Sequence, residues 1–507
     1  MMTVLDSLAQ AFANITQPMM LFHVVWATLL GIFVGSLPGL TATMGVALLT
    51  TLTYGMGRDP AILVLICMYV GAIYGGSRSA ILLNIPGTPA SAATSLDGYP
   101  LAKAGKAAKA MALATTGSAL GTFVGIVMLM LIAPPLASIA LKFGSYEFFW
   151  LAVFGIMISG QLTADGNVLK GYIAGLLGLS IAMIGSEGIH AYVRFDFGIR
   201  EMSGGIGLIP VMVGVFGFAE VLTAISSRRG VVERSPEKSG RSMPKLAEVV
   251  KHRVTIIRSG IIGTFIGIIP GVGEDIGAWA SYAAARSRSK ERDKYGKGSQ
   301  EGLIAAETGN SAVVPGSLIP AITLAVPGSA ASAVLIAALF IHGIRPGPMI
   351  MIEQPDFIYS IAVMLLFATF AIFVFGVTLT PLFVAVLKIP YSYLMPVVFT
   401  LCVIGPYAIS QRLFDVWVMA VFGVIGFILR KMNYPMPPLV LGIILGALLD
   451  KSLRRGLILS DGDLTPFFTR PISAIFVAII LFGVLSGIPS MRRLVTGKNK
   501  GTATREQ

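Results

Sequence analysis

Charge is what this 507-residue chain has least of: Asp, Glu, Lys and Arg make up 12%, against roughly 25% in a soluble domain. That scarcity excludes an ordinary water-soluble fold. Cysteine is almost absent, and Cys67 and Cys402 both lie inside apolar runs, so no disulfide framework is implied. The four histidines, His23, His190, His252 and His342, are scattered and form no HExxH zinc motif. No nucleotide-binding P-loop occurs, nor an evident activated Ser or Cys beside a base, which argues against an intramembrane enzyme. Ten-residue segments of alternating polarity, the mark of a transmembrane barrel, are missing too. The N-terminus has no basic stretch ahead of its first apolar run, so no cleavable signal peptide is expected.

What is present is apolar length. The chain is 55% hydrophobic with a mean hydropathy of +0.81, and runs such as 357–387, 413–429 and 470–489 approach the roughly 20 helical residues that a bilayer crossing needs. The expected fold is an all-α polytopic membrane protein of roughly 10 to 14 membrane segments. The net charge of +13 sits in short loops between apolar runs, where it orients the chain in the lipid bilayer. No nucleic-acid partner follows from it.

Nine basic residues against Glu233, Glu237 and Glu248 place 225–258 on the cytoplasmic side. A second basic cluster runs from Arg286 to Lys297. The apolar stretch between these clusters leaves and returns to one face, so it must fold back at Pro270-Gly271-Val272-Gly273, where proline removes a donor and glycine permits the turn. Arms of about 15 residues reach roughly 22 Å each, which makes a re-entrant hairpin. No Lys or Arg precedes Arg58, so the stretch 19–57, broken at Pro38-Gly39, is expected to have both ends outside. On this count Lys451, Arg454 and Arg455 fall outside, against the positive-inside rule.

The two breaks belong to a repeat. Gly31–Ala47 aligned with Gly263–Trp279 gives six identities in seventeen, among them Pro38-Gly39 with Pro270-Gly271. Ala80–Ala92 aligned with Ala321–Ala333 matches Pro86-Gly87 with Pro327-Gly328 and Ala90-Ser91-Ala92 with Ala331-Ser332-Ala333. Because one hairpin opens outward and the other inward, the halves are expected to be inverted repeats. The expected division is a first half at 1–224, a basic cytoplasmic loop at 225–258, a second half at 259–490 and a polar cytoplasmic tail at 491–507. Gly/Pro-interrupted segments at matching places point to a secondary transporter with its site near the bilayer midplane.

Each interrupted helix exposes N–H groups and a positive dipole end, which suits a carboxylate, or carbonyls and a negative end, which suits a cation. In hydrocarbon these groups must be satisfied by protein, water or ligand. Candidate substrate-binding residues are therefore Pro38, Gly39, Thr41, Thr43, Ser77, Arg78, Asn84, Gly87, Thr88, Ser91, Gly328, Ser329 and Ser332. Arg78 stands out, since a buried guanidinium needs a partner and its fork fits a carboxylate; a protein acid would serve equally well. Candidate ion-coupling residues are Gly271, Gly273, Glu274, Asp275, Glu307 and Asn310, with Na+ as a candidate ligand of Glu274, Asp275 and Asn310. Glu274 and Asp275 equally suit the start of a helix, and Glu307 with Asn310 equally suits interhelical hydrogen bonding.

Gly35-Ser-Leu-Pro-Gly-Leu, Tyr74-Gly-Gly-Ser, Asn84-Ile-Pro-Gly, Leu96-Asp-Gly-Tyr-Pro, Tyr295-Gly-Lys-Gly, Val326-Pro-Gly-Ser and His342-Gly-Ile-Arg-Pro-Gly-Pro resemble the signature blocks of the large membrane subunit of the tripartite tricarboxylate transporter family. The resemblance spans about residues 20–490. It implies a multi-pass permease of the bacterial inner membrane, working with a small four-helix membrane subunit and a periplasmic solute-binding protein. It further implies no cofactor, coupling to a Na+ or H+ gradient, and uptake of tricarboxylates or related organic acid anions. Three positions depart from that pattern: Thr88 where Glu is frequent, Arg78 where small or hydroxyl residues are usual, and Glu274-Asp275 where small residues are usual. The alternatives are a passive anion channel, which also uses re-entrant hairpins, or a permease for a non-carboxylate solute.

Overall fold

The computed structural model describes residues 4–37, 39–163, 167–226, 246–380, 382–383 and 391–487. Pro38, most of the basic loop and the polar tail lie outside the described residues. The architecture is helical, as expected; among the described residues the one sheet is a two-stranded antiparallel ribbon, Gly185–Ser186 with Val193–Arg194. Among the described residues eight helices are long and apolar enough to cross a membrane, and Val168–Ala182, Ala330–Ile341 and Pro471–Val484 are shorter apolar helices. The chain forms two compact units: residues 1–142 with 206–432, and residues 143–205 with 433–507.

The first unit holds both broken hairpins. Pro18–Ser36 stops short of the break and the chain resumes as Ala42–Leu52, with Gly39 in between at φ 94°. In the other half Arg253–Ile268 gives way to Gly273–Arg288, with Gly271 at φ 69° and Gly273 at φ 67°. Only glycine adopts such a backbone without strain. Each hairpin packs on a long buried helix, Arg58–Leu83 in one half and Gln300–Leu324 in the other. Both long helices end in a left-handed residue, Asn84 at φ 54° and Ala325 at φ 55°, whose N–H bonds back to Ser79 O and Pro320 O respectively. A short loop then leads into Ser91–Leu101 and Ala330–Ile341.

The likeness extends to backbone contacts. A β-carbon on Gly35 would meet Ala72 O at 1.9 Å, and one on Gly267 would meet Val313 O at 2.7 Å. Gly31 similarly faces Met68 O and Gly263 faces Gly309 O, while Gly75 faces Ile32 O and Gly316 faces Thr264 O. Small residues at such crossings let helix backbones approach, which is how membrane helices associate without a hydrophobic driving force. Equivalent glycine crossings thus recur at partners displaced by 232 residues on the hairpin arms and 241 on the long helices.

In the second unit Ser145–Thr163 and Val168–Ala182 pack on Met436–Leu459, with Gly178 facing Leu439 O. Arg194 makes a two-pronged ion pair with Asp450 at 3.0 and 3.1 Å, and Arg454 joins the same carboxylate at 3.0 Å. Of the basic cluster at 451–455, Arg454 is thus paired inside its own unit, sharing Asp450 with Arg194.

Candidate substrate and ion site

Three of the four breaks are capped by hydroxyl groups, and the fourth is tied by backbone hydrogen bonds. At the first hairpin Thr41 caps Ala42–Leu52, its hydroxyl accepting from Met44 N at 3.2 Å, and Thr43 is buried beside it. Beyond Asn84, the Thr88 N–H donates to Ser91 Oγ at 3.1 Å, and the Ser91 N–H donates to Thr88 Oγ1 at 3.3 Å. Ser329 and Ser332 repeat this as a reciprocal capping box, at 2.9 and 3.1 Å. Gly87 and Gly328 seat the loops: β-carbons there would lie 2.4 Å from Gly35 O and 2.0 Å from Gly267 O. The second hairpin is tied to its loop through Gly271 N to Pro327 O and Gly273 N to Gly328 O, at 3.2 and 3.1 Å. The expected residues at each break are thus brought together; Pro38 alone is outside the described residues.

Glu307 is fully buried on the second long helix. Ser77 Oγ lies 2.7 Å from both its oxygens, Ser118 Oγ donates to Oε2 at 2.8 Å, and Thr94 Oγ1 donates to Oε1. Three helices of the first half thus converge on one carboxylate of the second. Asn310, one turn further along, is also fully buried, and among the described residues neither its Oδ1 nor its Nδ2 has a hydrogen-bond partner. That is unusual, because a buried amide without partners costs about 1–3 kcal/mol.

Arg78 is held elsewhere. Its guanidinium donates to Thr115 Oγ1 at 3.0 Å, Gly376 O at 3.3 Å and Thr380 Oγ1 at 3.4 Å, and lies over the Tyr74 ring at 4.6 Å. Among the described residues no carboxylate comes within salt-bridge reach of it. Its neutral cradle lies on Ala107–Ala140 and Phe357–Thr378 and just past the latter, with Tyr74 from its own helix.

Glu274 and Asp275 occupy the first turn of Gly273–Arg288, where carboxylates are favoured by the helix dipole. Tyr69 Oη, from the other half, donates to Glu274 Oε1 and lies 2.7 Å from Ser329 Oγ and 3.2 Å from Ser317 Oγ. Tyr69 was not foreseen, because an aromatic residue within an apolar run reads as packing. Asp97 was missed as well. Fully buried, it accepts Gly296, Gly298 and Ser299 N–H groups on Oδ1 at 2.7–2.9 Å, and the Tyr282 hydroxyl on Oδ2 at 2.9 Å. The signal was the pairing of two glycine-bearing blocks, Leu96-Asp-Gly-Tyr-Pro and Tyr295-Gly-Lys-Gly, which meet at this carboxylate.

Comparison with known proteins agrees with these blocks. Residues 21–441 match the model of the tripartite tricarboxylate transporter TctA family. A protein of Agrobacterium vitis, described as an uncharacterized 52.8 kDa protein in TAR-I ttuC' 3'region, is 36% identical over 501 residues, covering 97% of this chain and 98% of that protein. A second from the same organism, described as an uncharacterized protein in TAR-II ttuC' 3'region, is 34% identical over 231 residues, covering 45% of this chain and 96% of its own length. No solved structure matches. With its many apolar helices and a family match over most of its length, the chain is a multi-pass membrane protein of transport and belongs to the tripartite tricarboxylate transporter TctA family.

Proposed function

We propose that this chain is the large permease subunit of a binding-protein-dependent, ion-gradient-driven uptake system for organic acid anions in the bacterial inner membrane. The observation that carries the reading is the twice-built hairpin, whose Gly87 and Gly328 loops are seated on the same backbone positions and whose short helices start from the same hydroxyl pair. Two such units in inverted orientation would present helix starts to an anion from both halves. A small membrane subunit and a periplasmic solute-binding protein would complete the system, as the tripartite family implies. Glu307 is the carboxylate best suited to the coupling cation, Na+ or H+. It is buried, ringed by hydroxyl oxygens and shared between halves, and ionisable groups at membrane depth mark ion pathways.

The test is uptake of labelled organic acids into cells expressing the chain with its small subunit and binding protein, with sodium and proton gradients collapsed in turn. Uptake that needs the binding protein and fails with one gradient is expected. Uptake that simply dissipates the solute's own gradient would indicate a channel, and no uptake across a broad panel would remove the organic-acid assignment.

A further inference from the structure

Between the two arms of the second hairpin lies a cavity of about 570 Å3 that the transport site does not use. On Arg253–Ile268, Val254, Ile257, Arg258 and Ile261 recur at three- and four-residue spacing and so line it from one helix face. Val254, Ile257 and Ile261 are exposed. On Gly273–Arg288 the lining residues Ala284 and Ser287 are small, which leaves a recess between the arms. The arms run in opposite directions from the Pro270-Gly271 tip, so Arg288, the last residue of the second, and Arg258, in the second turn of the first, both line the half away from the tip, while Ile261 and Ile262 line it nearer the tip. Arg258 Nε is buried without a hydrogen-bond partner, and among the described residues neither arginine forms an ion pair. None of the lining residues is acidic. The acids nearest to them in sequence, Glu248 and Glu291, are paired with Lys109 and Lys294.

We propose that this groove binds an anionic phospholipid of the surrounding bilayer, its phosphate held by Arg258 and Arg288 and an acyl chain laid along Ile257, Ile261 and Ile262. Charge complementarity selects the occupant. A buried guanidinium donor without a partner is costly, and the guanidinium fork matches phosphate oxygens. A soluble anion would satisfy the arginines but leave the isoleucine wall bare; a neutral lipid would cover the wall but leave the arginines unpaired. Basic pockets between membrane helices are where anionic headgroups are held, and the volume falls within the range of small-ligand sites, about 300–1,000 Å3. The inference needs only that the chain spans a membrane and is independent of the transported substrate.

The test compares dioleoylphosphatidylglycerol with dioleoylphosphatidylcholine, which share their acyl chains and differ in headgroup charge. Binding to the purified full-length chain, with and without its small subunit, is read by native mass spectrometry. The intact protein is expected to bind the phosphatidylglycerol at least fivefold more tightly. Arg258→Gln combined with Arg288→Gln should bring the two lipids within twofold, whereas the paired lysine variants, which keep the charge, should retain the preference. Arg286→Gln, exposed and outside the groove, is the control and should change nothing. Ala284→Phe fills the recess and leaves both charges, and should weaken phosphatidylglycerol fivefold or more; the glutamine pair carries the test if that variant does not fold. Equal binding of the two lipids by the intact protein, or a preference that survives the glutamine pair, overturns the inference. Displacement of the lipid by the small subunit also overturns it, because the groove would then be a protein interface.

Discussion

A β-carbon added to Gly87 would stand 2.4 Å from the carbonyl oxygen of Gly35, and Gly328 meets Gly267 in the same way at 2.0 Å. Both contacts are with backbone, so neither can be relieved by a side-chain rotation. Gly87→Ala and Gly328→Ala should each destabilise the protein by about 1–3 kcal/mol, the usual range for overpacking. Gly55→Ala is the control, because nothing lies within 4 Å of a β-carbon there. Thermal unfolding of the purified protein should show lowered midpoints for the first two and an unchanged one for the third. Equal midpoints for all three would mean that the loops are not seated on these carbonyls.

Asp97 predicts a second stability effect. One carboxylate oxygen gathers three backbone N–H groups and the other takes the Tyr282 hydroxyl, so truncation strands four donors. Asp97→Ala should cost roughly 3–5 kcal/mol, as the removal of a buried charged partner does. Asp97→Asn keeps an acceptor and should cost less. A loss in the alanine variant no greater than in the asparagine variant contradicts the anchoring role.

Glu307 separates coupling from binding. Glu307→Gln retains an acceptor for Ser77 or Ser118 but loses the charge, and gradient-driven uptake should fall tenfold or more. Exchange of labelled for unlabelled substrate at equal concentrations, which needs no net coupling, should survive within a few-fold. Uptake unaffected by the substitution would show that this carboxylate does not carry the coupling ion.

The broken hairpins were legible in the sequence because Pro followed by Gly acts locally: proline alone is carried within a helix, as Pro315 and Pro320 are in Gln300–Leu324, whereas a glycine at positive φ beside it ends the helical path. The repeated hydroxyls Thr88, Ser91, Ser329 and Ser332 were legible as a matched set, but not their use as helix caps, in which each pair bonds across an i to i+3 step. Partners more than 150 residues apart were not legible either. Nothing local says that Tyr69 reaches Glu274, that Asp97 closes the 296–299 loop, or that Ser77 serves Glu307. Arg78 shows the limit most plainly. Its charge pointed to a ligand, yet its guanidinium rests on Tyr74, Thr115 and Gly376 O, partners that supply acceptors and a ring face but carry no charge.

The most direct test of the account is the sidedness of the two hairpins. Single cysteines at Gln17 and Gly57 flank the first, and at Lys251 and Arg288 the second; all four positions are exposed, while native Cys67 and Cys402 are buried and give little background. In intact cells a membrane-impermeant thiol reagent should label the first pair, and the second pair only after the membrane is opened. Labelling of all four from one side, or of the two members of a pair from opposite sides, would contradict two re-entrant hairpins of inverted orientation.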